Sequence, residues 1–176
     1  NIIPCWVASS KQEYGAYTLR PKIKKLLPLY LDDFPKLKSH PVEWREPATK
    51  IPWDRLASTL RMDTTVPEVT WIKPGEQAAH QLLARFVAGG LKRYVRDRND
   101  PTLSGQSNLS PYLHFGQLSA QRAALSITGA SVPASIKEAM LEELIVRREL
   151  ADNFCQYNPS YDTVEAFPDW AKKTLN

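Results

Sequence analysis

The placement of proline limits this chain more than any other feature. Seven of its 14 prolines, Pro28, Pro35, Pro41, Pro47, Pro52, Pro67 and Pro74, lie in one stretch. Proline lacks a backbone N–H and biases the preceding residue toward extended backbone, so at this density long helices and central strands are excluded. Residues 31–74 are therefore read as an interdomain connection with one short helix near Trp53 to Leu60. A loop-rich part of a single domain fits the same pattern.

The flanks are more regular. Ile2 to Ala8 is short, apolar and partly β-branched, which predicts a buried strand. Ser10 to Glu13 has the spacing of a capping box, predicting a helix that falters at Pro21. A strand leading into a helix makes residues 1–30 an α/β fragment. Beyond Glu76 the pattern is helical: Ala79, Leu82, Leu83, Phe86, Val87, Leu91, Tyr94 and Val95 recur at helical spacing. Two further helices are predicted, from Pro111 to about Ile127 and from about Ala134 to Tyr157, the latter with Ser135 and Glu138 as a second capping box. The predicted fold class is mostly α, helical over residues 75–176 and preceded by an α/β fragment over residues 1–30.

Composition narrows the function. A hydrophobic share of 43% supplies a core. A net charge of +4 permits an anionic partner without requiring one. Cys5 and Cys155 stand apart and the three histidines lack ligand spacing, so no metal site is expected. No apolar run approaches a membrane span, and the first residues lack the basic start and small-residue cleavage site of a signal peptide. The sequence has no initiator Met and opens inside an apolar run, so it reads as a piece of a longer chain.

Three stretches carry groups suited to chemistry. In "SNLSPYLHFGQLSAQ", Ser110 suits an N-cap and Pro111 the first helical turn; an exposed loop runs before them, and Ser107, Asn108 and Ser110 add polar side chains. A helix start of this kind can hold a phosphate, and an ordinary capped helix has the same spacing. In "GGLKRYVRDRNDP", Lys92, Arg93, Arg96 and Arg98 surround Tyr94; this suits a phosphate backbone or an aromatic cofactor, or simply a solvated helix end. In "EAMLEELIVRRELADNF", Glu143 and Arg147 lie four apart, on a helix face with Met140 and Leu150. There Glu143 can meet the edge of a ligand base, or form a plain surface ion pair.

Together "RNDP", "SNLSPYLHFGQLSAQRAAL" and "EELIVRRELADNFCQYNP" resemble class II cyclobutane pyrimidine dimer photolyases of the photolyase/cryptochrome family. "NIIPCWVASSKQEYGAYTLRPKI" resembles the end of that family's N-terminal α/β domain, so the resemblance implies that residues 1–30 are the C-terminal end of a Rossmann-like antenna domain and residues 75–176 the first part of the family's helical FAD- and DNA-binding domain. The resemblance implies light-dependent DNA repair: reduced FAD passes an electron to a cyclobutane pyrimidine dimer flipped out of DNA, and the ring splits. It implies UV-damaged DNA as partner, no membrane, a full-length monomer, and a location with DNA inside the cell (nucleoid, cytoplasm or nucleus). A second, antenna chromophore belongs to the same picture, held mainly by a region before residue 1.

The resemblance also implies roles for residues. Tyr94, Ser107, Asn108, Leu109 and Ser110 match positions that hold the FAD phosphates and ribityl chain; Gln106 stands where Thr is common, so that hydroxyl is absent. Glu143 matches the catalytic glutamate that hydrogen-bonds the dimer. Arg98, Met140 and Arg147 match substrate or DNA positions, with Met140 and Val146 where related proteins carry Trp. The expectation is that this segment alone is inactive. Two other readings stay open: a cryptochrome-like FAD photoreceptor without repair, and a cofactor-free helical module that binds nucleic acid.

Overall fold

The computed structural model describes residues 1–43, 45–61, 63 and 65–175. Trp44, Met62 and Thr64 of the proline-rich connection, and Asn176 at the end of the expected helical domain, lie outside the described residues. The chain divides into two compact units. One joins residues 1–33 to the chain from Pro74 onward; the other is Phe34–Lys73.

In the first unit, α1 is a single turn, Cys5–Ala8. The strand expected over Ile2 to Ala8 is not formed, and no strand occurs among the described residues. The reason is where the backbone donors go. The N–H groups of Ile2 and Ile3 donate to Glu149 Oε1 at 2.7 and 3.3 Å, so they need no neighbouring strand.

The capping box at Ser10 is absent as well, and α2 begins only at Ala16 (Ala16–Tyr30). Glu13 is engaged elsewhere: its carboxylate takes the Ser9 hydroxyl and Lys22, and its N–H donates to Asn153 Oδ1. The helix also runs through Pro21 and Pro28 rather than faltering. Ala16, Leu19 and Ile23, buried on both sides of Pro21, anchor it against the loss of one ladder bond.

The next helical path runs from α4, Glu76–Arg85, through a π turn at Phe86–Gly90 and a 3₁₀ turn at Leu91–Arg93, into α5, Tyr94–Asp97. Ala79, Leu83, Phe86, Leu91 and Tyr94 are buried as the spacing predicts, whereas Val95 is exposed. The π turn adds a residue to the turn and rotates everything after it.

The helix predicted from Pro111 to Ile127 is two helices, α6, Ser110–His114, and α7, Ala120–Thr128. Gly116 breaks the path with φ +67°, and the Ser119 hydroxyl caps α7 by accepting from Arg122 N. Ser110 is the first helical residue rather than a side-chain cap.

The last long path is α8, Ala134–Leu141, a second π turn at Glu142–Arg147, and α9, Arg148–Tyr157. Its N-cap is Pro133, so Ser135 and Glu138 form no capping box. A 3₁₀ turn at Val164–Ala166 and α10, Asp169–Leu175, follow. α8 packs on α7, the second π turn on α2, and α9 on α1. Their shared core includes Ile3, Leu19, Ile23, Leu91, Leu109, Ile127 and Ile145, all below 2% exposure. Each contributes roughly 1.5–3 kcal/mol by burial.

The second unit contains α3, Trp53–Thr59, in agreement with the short helix expected there. Its side-chain bonds include local ones, Ser58 Oγ to Arg55 O and Asp63 accepting from Thr65 N–H. Leu37, Trp53 and Trp71 are exposed.

Candidate functional site

Three segments of the first unit enclose an open cleft of about 780 Å³. This lies within the range of small-molecule and cofactor sites.

The first segment is α5 and the residue after it. Tyr94 is buried, with its ring edge-on to Phe86 at 5.9 Å. Arg98 lies over the Tyr94 ring, 5.5 Å from its centroid, and donates to Glu143 Oε1 at 3.1 Å. Hydrogen bonding to Tyr94, and then the Glu143 charge, raise the Arg98 pKa and keep the guanidinium charged. The other basic residues of this stretch serve differently. Arg93 and Arg96 turn to Asp97, at 3.6 and 2.5 Å, and hold its carboxyl below the usual range, chiefly through the Arg96 hydrogen bond.

The second segment is the loop entering α6. Gly105 lies directly on the Asp97 backbone: a Cβ there would sit 2.4 Å from the Asp97 carbonyl carbon and oxygen. Gln106 Nε2 donates to Arg98 O, tying the loop to the first segment. Asn108 adopts φ +55°, a left-handed conformation that Asn tolerates better than most residues. That bend is followed by Leu109, 1% exposed, which pins the loop to the core. Ser107, Leu109 and Ser110 reach the cleft, and Ser107 Oγ accepts from Leu109 N–H at 3.4 Å. Asn108 does not line the cleft; its contribution is the bend.

The third segment is the path from α8 to α9. Met140, Glu143, Leu144, Arg148 and Asp152 face the cleft. The expected sharing of one helix face by Glu143 and Arg147 fails. The extra residue of the π turn separates them: Glu143 meets Arg98, while Arg147 approaches Glu142 at 3.8 Å and lines a different groove with Leu150. Arg20 grips Glu142 with two bonds, at 2.9 and 2.8 Å, and holds its carboxyl below the usual range. Val146 is buried away from the cleft, in a third groove beside Ile23 and Leu27.

Thus Tyr94, Arg98, Ser107, Leu109, Ser110, Met140 and Glu143 converge, and Arg147 stands apart. Sequence reasoning missed Asn99, Leu113, His114, Leu144, Arg148 and Asp152. Arg148 and Asp152 carried a usable signal, since residues four apart share a helix face. The uneven register across Glu142–Arg147 concealed that their face is also Glu143's.

The donor set suits a large, anionic, partly aromatic ligand. Arg98 and Arg148 supply positive charge, Ser107 and Ser110 supply hydroxyls, and Tyr94, Leu113, Met140 and Leu144 supply apolar surface. No group of three metal-ligating side chains occurs among the described residues. No helix of the described residues is long and apolar enough to cross a membrane.

No family model matches the chain. Curated relatives match it nearly end to end. It is 46% identical over 177 residues to a deoxyribodipyrimidine photolyase of Potorous tridactylus, covering 99% of this chain and 33% of that protein. It is 47% identical over 184 residues to one of Arabidopsis thaliana, covering 99% and 37%. It is 38% identical over 182 residues to one of Methanothermobacter thermautotrophicus, covering 99% and 38%. The chain spans about a third of the length of these relatives.

Proposed function

We propose that this chain, homologous over nearly all its length to deoxyribodipyrimidine photolyases, serves as the first part of a flavin pocket in a DNA-repair lyase. The single observation that carries the reading is the convergence of Tyr94, Arg98, Ser107, Ser110, Met140 and Glu143 on one cleft. The class II assignment belongs to the same reading.

The cleft fits FAD by charge and polarity. Arg148 and the hydroxyls of Ser107 and Ser110 would hold the diphosphate and ribityl chain, with Leu109 fixing the loop beneath them and the bend at Asn108 aiming it. Tyr94, braced by Phe86, would present a fixed aromatic wall. FAD, bound and reduced, would supply a photoexcited electron to the dimer and take it back once the cyclobutane ring has opened.

The residues of this chain do the positioning. Glu143 would accept a hydrogen bond from the edge of a flipped pyrimidine. Arg98, already beside it, would neutralise charge as DNA phosphates approach. Met140 offers a soft apolar surface where an aromatic would otherwise stack on the lesion. Arg147 would touch DNA only from outside the cleft. A segment carrying one part of such a pocket would not repair DNA unaided.

The test is Glu143→Gln in the full-length protein, with flavin content and dimer repair measured on the same sample. Flavin content should be unchanged and repair should fall about tenfold, the value of roughly one charged hydrogen bond. Unchanged repair would refute the role.

A further inference from the structure

We propose that Arg20, on α2, is a positioning residue for the cleft: it holds Glu142 outside the cleft and so leaves Glu143 to face Arg98. The proposal rests on the reading of Glu143 as the carboxylate that meets the dimer. Glu142 and Glu143 are consecutive and carry the same side chain. Two arginines sort them. Arg20 Nε donates to Glu142 Oε2 at 2.9 Å and Arg20 Nη2 to Glu142 Oε1 at 2.8 Å, a forked pair on the α2 side. Arg98 Nη1 donates to Glu143 Oε1 at 3.1 Å on the cleft side.

The sorting needs a fixed point because the turn has an alternative. π turns are rare, and the ordinary α register competes with them. In that register Glu143 and Arg147 would share a helix face and could pair, in competition with Arg98. As the turn stands, Arg147 goes to Glu142 instead, 3.8 Å away. Burial does not choose between the two registers. Ile145 and Val146 are buried in the groove that Ile23 and Leu27 of α2 also line, but apolar contact is non-directional and tolerates sliding. A forked guanidinium–carboxylate pair fixes both position and orientation.

The helix beyond the turn does not absorb a change of register. Glu149, Asn153 and Tyr157 fasten α9 to Ile2, Ile3, Glu13 and Ser9. Loss of the Arg20 pair therefore displaces Glu143 and leaves Arg148 in the cleft. The Arg20 and Glu142 side chains are 37% and 22% exposed, and ion pairs this open to solvent contribute little to global stability. A local register needs no more, since a preference of about fivefold is a small part of the stability of a domain.

The experiment uses the full-length protein carrying Arg20→Ala, Glu142→Ala, Glu143→Gln, or Arg20→Ala together with Glu143→Gln. Three quantities are measured: the flavin dissociation constant, the urea midpoint, and repair per bound flavin at saturating dimer-containing DNA. Arg20→Ala should lower repair about fivefold, within the roughly tenfold loss of Glu143→Gln, and leave flavin binding within about twofold and the urea midpoint unchanged. Added to Glu143→Gln it should cost nothing more, because it acts through Glu143. Glu142→Ala should match Arg20→Ala, and decides if Arg20→Ala does not fold. Where Glu143→Gln loses repair, full repair by Arg20→Ala, or an equal further loss in the double variant, would overturn the proposal. Where Glu143→Gln repairs normally, the reading of Glu143 has failed and a crystal structure of Arg20→Ala decides alone. Glu143 should have left Arg98 in that structure; a π turn unchanged, with Glu143 still on Arg98, would overturn the proposal.

Discussion

Glu149, Asn153 and Tyr157 run down one side of α9 and fasten the first residues of the chain, while Met140, Glu143, Arg148 and Asp152 line the cleft on another side of the same helical path. On the fastening side, Asn153 is fully buried, accepts from Glu13 N–H at 2.7 Å and donates to Lys11 O at 3.0 Å. Tyr157 donates to Ser9 O at 2.7 Å. On the cleft side the polar groups converge on open space. The residue types are similar on both sides; what differs is whether the protein itself supplies the partners. Polar groups paired internally hold the fold, and those facing open space are available to a ligand.

Substitutions on the fastening side should act on stability. Asn153→Ala removes one buried and one part-buried hydrogen bond and leaves Glu13 N–H and Lys11 O without their partner. It should cost about 2–4 kcal/mol in urea unfolding, with earlier proteolysis between residues 9 and 14. A loss below about 1 kcal/mol would mean that the first segment is held by other means.

Acid tests the same side through Glu13. Hydrogen bonds from Lys22 first, then Thr18 and Ser9, lower its carboxyl from 4.5 to about 2. A depressed carboxyl contributes stability that is fully present above the unfolded value and lost as pH falls toward the folded one. Stability should therefore decline between about pH 4.5 and about pH 2, and Glu13→Gln should flatten that decline. A slope the same in both proteins would count against the Glu13–Lys22 contact.

Gly105→Ala tests the cleft side through its loop. The added methyl meets Asp97 backbone at 2.4 Å and the loop must move. About 1–3 kcal/mol of destabilisation should accompany weaker flavin retention. Full retention with unchanged stability would show that the loop does not need this close approach.

The legible parts of the molecule were those with local causes. Proline density marked residues 31–74 and left room for the short helix now seen at Trp53–Thr59. Apolar spacing found the two long helical paths, and Ser107, Leu109 and Ser110 of the polar loop before Pro111 line the cleft. The misreadings came from distant partners. Ile2 and Ile3 look like a strand until Glu149, nearly 150 residues on, takes their N–H groups. Ser10 and Glu13 look like a capping box until Lys22 and Asn153 take Glu13. The π turn at Glu142–Arg147 was also hidden, because "EELIVR" carries no glycine or proline to mark it. That hidden residue moved Arg147 away from the cleft and left Arg148 in it.

The central claim is that the second π turn decides which residues serve the cleft, and two neighbouring arginines test it most directly. The measurement is the flavin dissociation constant of the full-length protein carrying Arg148→Ala or Arg147→Ala. Loss of Arg148 should weaken binding about tenfold, and loss of Arg147 should leave it within about twofold. The reverse order would contradict the account, because it would put Arg147 in the pocket and the register of the turn in the wrong place.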